Sequence, residues 1–171
     1  MLRATLLALC LSGCTLLDAG IDIPEACVTF QNEEVPGMPG GTAFTKTFVA
    51  DNLKIVDGFV KIDAVITDAR ARLTLRGGAS DFTFLDGVSV TVKDSTGALP
   101  PATIVACDDG ACMSQSQVTE IVAQVPENLI DYAKGGAPQF TVTLSGNLPT
   151  EAWRTDVEVC ISGRASVKVA P

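Results

Sequence analysis

Histidine is absent from this chain of 171 residues, and aromatic side chains are scarce: one Trp, one Tyr and seven Phe. Without an imidazole there is no His-based Ser or Cys nucleophile and no His-containing zinc motif. No glycine-rich loop stands between a strand and a helix in the way a phosphate-binding loop requires. Basic residues are in deficit, 12 Lys and Arg against 20 Asp and Glu, for a net charge of -8. Phosphate backbones are held chiefly by Lys and Arg, so nucleic acid is not an expected partner. No stretch reaches the ~20 apolar residues of a membrane-spanning helix without a charge or a proline.

What the chain does have begins at its start. Arg3 precedes the apolar run Leu6-Leu7-Ala8-Leu9-Cys10-Leu11, and the small pair Ser12-Gly13 follows. A basic residue, a short apolar stretch and small residues at a cut site read as an export signal. The next residue is Cys14, and Leu11-Ser12-Gly13-Cys14 resembles the lipobox of bacterial lipoproteins. The resemblance covers residues 1–14. It implies a signal peptide over residues 1–13, a diacylglycerol on the Cys14 thiol, and often a further acyl chain on the new amine. Each buried methylene contributes about 0.8 kcal/mol, so two or three chains on one residue anchor the protein almost permanently. In the sorting pattern of Gram-negative lipoproteins an Asp after the Cys favours the inner membrane; here Thr15 stands there, which implies the outer membrane. Residues 14–25 are expected to be a tether of at most ~40 Å at ~3.5 Å per residue, and residues 26–171 the folded domain.

Cys10 leaves with the signal and Cys14 carries lipid, so Cys27, Cys107, Cys112 and Cys160 remain. An even number in an exported protein reads as two disulfides, with three pairings open. The short turn-like stretch Cys107-Asp108-Asp109-Gly110-Ala111-Cys112 favours Cys107 with Cys112, which leaves Cys27 with Cys160. That second bridge closes a loop whose chain-entropy contribution is roughly 4 to 5 kcal/mol. A four-cysteine zinc site is the rival, but paired Cys-x-x-Cys spacing is missing. No metal and no cofactor are expected.

Strand signals recur along the domain. Ala69, Ala71, Leu73 and Leu75 alternate with Arg70, Arg72, Thr74 and Arg76, the pattern of a strand with one dry and one wet face. Similar alternation marks residues 27–31, 43–50, 88–92, 104–107, 118–125, 139–146 and 155–163, and a closing strand at 164–169. Residues 51–67 fit helix and strand alike and are taken as mostly extended. Pro126 at a start, an acidic first turn, Lys134 and then Gly135 predict one short helix over residues 126–135. Many short strands with Gly, Pro and Asp punctuation predict an all-β, antiparallel β-sandwich. An immunoglobulin-like arrangement is the expected member of that class, and a closed β-barrel the alternative.

Three groups could contact a ligand. Arg70, Arg72 and Arg76 form a positive row that would suit phosphates or an acidic partner, unless acids on neighbouring strands pair with it. Trp153, read as a loop residue, could stack on a sugar or cover a core edge. Asp108-Asp109-Gly110 offers hard oxygens but too few for calcium, and reads as a turn. Tyr132 is expected to fasten the helix by its hydroxyl. The expected function is a non-enzymatic envelope lipoprotein with a structural or protein-binding role. Its partners are the membrane, through the N-terminal lipid, and an envelope protein or glycan. A carbohydrate-binding or adhesive module is the alternative, and a carboxylate-dependent hydrolase stands last.

Overall fold

The computed structural model describes residues 18–50, 63–125, 129–133 and 136–168. Its elements are β1 (Asp18–Val35), β2 (Ala43–Val49), β3 (Asp63–Gly77), β4 (Leu85–Lys93), β5 (Ala102–Cys107), β6 (Val118–Gln124), one helical turn α1 (Ile130–Ala133), β7 (Gln139–Gly146) and β8 (Trp153–Lys168). The signal-like segment, Cys14, residues 51–62 and both ends of the expected helix lie outside the described residues.

Period-two patterning sets which face each strand buries. On β3, Ala69, Ala71 and Leu73 are at most 1% exposed, and on β7, Phe140, Val142 and Leu144 are at most 3% exposed. Each fully buried Val, Leu or Phe contributes about 1.5 to 3 kcal/mol relative to its exposed state, which commits each strand to one register. The intervening polar residues point outward. Between the two inner faces lies one core, with Leu73, Leu85, Val90, Val105 and Phe82 fully enclosed.

The pairing is nested. Strand β1 pairs with β8, β2 with β7, β3 with β6 and β4 with β5, all antiparallel, so the chain folds as one long hairpin with β4 and β5 at its tip. The ribbon then rolls up, adding β3 to β8 and β4 to β7. The result is a first sheet in the order β1-β8-β3-β6 and a second in the order β2-β7-β4-β5. Two four-stranded sheets paired in this way make a jelly-roll sandwich. The expected antiparallel sandwich is what forms, but its strand order is not immunoglobulin-like, since there the first strand pairs with the second. Among the described residues both sheets keep free edges, so the barrel alternative does not apply.

The four loops at one end are tied to each other. Met38 N–H donates to the Pro149 carbonyl at 3.0 Å, Phe82 N–H to Ser114 at 2.9 Å and Asn147 N–H to Phe84 at 2.9 Å. Trp153 opens β8 beneath them, opposite Val35, and is 1% exposed. Phe84 and Phe82 meet its ring edge-on, with centroids 5.1 and 6.2 Å away. Gly78, at φ +83°, passes so close that a Cβ there would stand 2.5 Å from the Ala152 carbonyl oxygen. At the opposite end Tyr132 Oη donates to the Pro100 carbonyl at 2.8 Å, the fastening expected of it.

Two expectations change in detail. The first strand is far longer than residues 27–31, because β1 starts at Asp18 and takes in most of the span read as a tether. Backbone pairing from Asp18 opposite Lys168 to Val35 opposite Trp153 supplies the order that composition alone does not reveal. The two late strands are one, β8; residues 63–67, expected to be extended, are so and belong to β3.

Candidate binding faces

Each sheet turns one face to solvent, and these faces hold most of the residues singled out from sequence. On the first sheet, Cys27 of β1 lies directly opposite Cys160 of β8, and the two are joined by a disulfide. The other bridge joins Cys107 to Cys112, so the favoured pairing holds. Arg70, on the adjacent strand β3 and opposite Cys160, lies over the first bridge. Its guanidinium donates to both oxygens of Glu25 at 3.0 and 2.8 Å, to Glu120 at 2.9 Å and to Cys160 Sγ at 3.2 Å. Glu158 stands 3.6 Å away. Glu25, then Glu120, holds the Arg70 guanidinium still more firmly charged than usual.

Arg76 donates through Nε to Asp156 at 2.7 Å. That contact pulls the Asp156 carboxyl below its ordinary range, helped by the Asn32 N–H at 2.8 Å. Arg72 is exposed and makes no ion pair within the described residues, although Glu120 and Glu158 flank it in register. The expected row of positive charge is therefore not a cationic strip. Two of its three members are held by carboxylates on neighbouring strands, which a phosphate would have to displace.

Trp153 is corrected more fully. It is a strand residue sealed in the core, so it is not positioned to stack on a sugar. Its indole Nε1 has no hydrogen-bond partner among the described residues. Sequence could not separate an exposed loop Trp from a plug under four loops, because the difference lies in non-local packing.

One cluster of potential metal ligands is already engaged within the protein. Glu25, Cys27 and Cys160 bring a carboxylate oxygen and two sulfurs within 4.8 Å of one another, but the sulfurs are bridged and Glu25 is bonded to Arg70. Asp108 and Asp109 are exposed and join no such cluster among the described residues. Asp109 and Gly110 hold φ of 52° and 74°, and Gly110 N–H bonds the Asp86 carbonyl at 2.9 Å. The pair makes the turn that the bridge needs.

The outer face of the second sheet has a different chemistry. Thr47 on β2, Thr141 on β7, Thr91 on β4 and Thr103 on β5 stand on one rung across all four strands. Thr45, Thr143 and Ser89 form the next rung. Thr45 and Thr143 hydroxyl oxygens lie 3.1 Å apart, and those of Thr47 and Thr141 2.9 Å apart. Among the described residues, the exposed charges of β4 stand at its two ends, Asp86 and Lys93, outside these two rungs. The signal was present as Thr45-Lys46-Thr47, Ser89-Val90-Thr91 and Thr141-Val142-Thr143, but only the register shows that these line up.

Between the free edges of β1 and β2 a small, narrow apolar crevice opens, lined by Val35, Phe44, Phe48, Leu144 and Val157. Lys46 and Glu33 form an ion pair at its lining, and Phe30 stacks on Phe48 with centroids 4.2 Å apart. Lys46 thus lies on the parity of Phe44 and Phe48, as the alternation in β2 requires.

Fold and faces together define a disulfide-bridged jelly-roll domain with one ion-paired and one hydroxyl-bearing outer face. No protein-family model and no curated protein matches the chain. Among solved structures it is similar to the decameric BFDV capsid protein, with 12% identity over 86% of this chain and 98% of that one, at a TM-score of 0.42. It is also similar to the Cocksfoot mottle virus structure, with 11% identity over 90% of this chain and 97% of that one, at a TM-score of 0.37. A third is a carbohydrate-binding module of the β-sandwich superfamily, with 7% identity over 84% of this chain and 56% of that one, at a TM-score of 0.33. The fold assignment rests on the strand pairing and not on these distant likenesses.

Proposed function

We propose that this chain is a lipid-anchored, non-enzymatic envelope protein whose jelly-roll domain is a binding module held at a fixed stand-off from the membrane. One observation carries the reading: β1 begins at Asp18, only four residues after Cys14. At ~3.5 Å per residue, lipid on Cys14 lies within ~14 Å of the first sheet. Next to it is not a loose tether but a ribbon. Strand β3 pairs with β8 from Asp63 onward, whereas β6 joins β3 only from Asp68, so β1, β8 and β3 run on together beyond the end of β6, with Ile66 of β3 still buried in the core. A short anchor leading directly into a paired strand suits a domain that presents its outer faces and far loops to a neighbour in the envelope. Thr15 supports the outer membrane as its address, if the source is Gram-negative.

Metabolic labelling with a tritiated fatty acid tests the anchor. The intact protein is expected to carry label and to sediment with membranes, and Cys14→Ser is expected to lose both. Unlabelled protein in the soluble fraction would end the reading.

A further inference from the structure

We infer that the outer face of the second sheet is a docking surface for a neutral, extended polysaccharide. The inference names a ligand class for the binding module proposed above and does not depend on the lipid anchor. Two rungs of hydroxyls cross the strands, one through Thr47, Thr141, Thr91 and Thr103 and the next through Thr45, Thr143 and Ser89. Neighbouring strands lie about 4.8 Å apart, and alternate residues on a strand about 6.7 Å apart, so the hydroxyls form a two-dimensional grid. Each hydroxyl offers one donor and two acceptor lone pairs. The contacts Thr45 to Thr143 and Thr47 to Thr141 use one donor apiece, so acceptor capacity remains all over the grid. Threonine methyls between the hydroxyls add small apolar patches. Hydroxyls alternating with C–H surface are also what the face of a sugar chain presents.

Charge narrows the partner. In a chain of net charge -8, the exposed charged side chains of β4 stand at its two ends, Asp86 and Lys93, and the two hydroxyl rungs between them carry none. Strand propensity alone does not demand that, because outward positions of the first sheet hold Arg70, Arg72, Arg76, Glu120 and Glu158 in the same kind of backbone. Uncharged rungs offer nothing to phosphates, acidic peptides or nucleic acid, and binding to them is insensitive to salt. The Trp and Tyr of the chain, Trp153 and Tyr132, are both buried, so aromatic stacking contributes nothing here. Each hydroxyl contact is individually weak, and retention has to build up along many repeats of one polymer. The occupant is therefore a long neutral glycan and not a free sugar.

The test is sedimentation of the purified full chain in mild detergent with three insoluble probes: cellulose, chitin and a β-1,3-glucan. Retention on at least one probe is expected, equal within about twofold at 0.05 and 1 M NaCl. A Thr47→Val, Thr91→Val, Thr141→Val variant keeps side-chain shape and is expected to bind about tenfold more weakly or worse. Arg72→Gln, on the other sheet, is expected to bind as the wild type does. Urea midpoints of all proteins establish that they are folded. Should the triple variant not fold, Thr47→Lys alone is expected to lower retention at least tenfold. Failure on all three probes, retention that salt abolishes, or an undiminished folded variant would overturn the proposal. So would a dimer that Thr47→Lys converts to monomer, since the face would then belong to a second copy of the chain. None of these results touches the anchor, which fatty-acid labelling reads separately.

Discussion

The two outer faces of this sandwich differ more than their shared architecture suggests. The first sheet carries Arg70 among Glu25, Glu120 and Glu158, Arg76 on Asp156, and a bridge between neighbouring strands. The second carries ranks of Thr and Ser with no bridge between its strands. On the first face nearly every strong group is already satisfied by another strand. On the second, hydroxyls remain available. The contrast suggests a division of labour in which one face secures the nested strands and the other is left open to a partner.

Removing the bridges should separate the faces most sharply. Cys27 and Cys160 are 133 residues apart, and Cys107 and Cys112 are 5 apart. Chain entropy assigns the first about 5 kcal/mol and the second about 2 kcal/mol. Urea denaturation of Cys27→Ser, Cys160→Ser against Cys107→Ser, Cys112→Ser is expected to show that order, and equal losses would break the comparison. Next in size is Arg70→Gln. It leaves three carboxylates together over the first bridge and is expected to destabilise by about 1 to 2 kcal/mol, after allowing for the part-exposed position of the network. High salt should reduce that loss, because it screens the repulsion left behind.

Acid provides a smaller, signed effect. At the β4–β5 turn Asp94 is buried and accepts bonds from the Thr96 hydroxyl, from Ala98 N–H at 3.1 Å and from Leu99 N–H at 3.1 Å. The Thr96 hydroxyl is the main cause of its depression from 3.8 to about 2, and the backbone donors add to it. A depressed folded value means the unfolded chain binds the proton first. Stability from Asp94 is therefore whole above pH 3.8 and is lost as pH falls through about 2. The urea midpoint of Asp94→Asn is expected to fall less steeply than wild type across that window. Smallest of all is the Thr47 and Thr141 pair. A double-mutant cycle to Val is expected to give a coupling of about 0.2 to 1 kcal/mol, unchanged by salt. A large coupling would mean that this face, too, is chiefly structural.

Sequence revealed the strands better than their arrangement. Alternation in β3, β7 and β8 was plain, because one face of each is dry and the hydrophobic term repeats every second residue. Nothing in that period names a partner strand, so the nested order β1-β8-β3-β6 was not legible and an immunoglobulin-like order was expected in its place. The first half of β1 contains Asp18, Gly20, Asp22 and Pro24, which read as a tether; its order comes from backbone pairing with β8. Both disulfides were legible from count and spacing. Trp153 was not, because four loops meet over it. The hydroxyl grid needed three strands in register before it could be seen.

The central claim is that the domain stands on its anchored end, with the strands leading away from the bilayer. Energy transfer from single-site dyes to a headgroup acceptor in vesicles, using the lipidated protein, tests it directly. Ala98, at the β4–β5 end, and Glu151, in the loop before β8, are both exposed and mark opposite ends of the sandwich. Transfer from Ala98→Cys is expected to exceed that from Glu151→Cys. Equal transfer would mean a domain lying flat, and the reverse order would mean one standing on its loops; either would contradict the account.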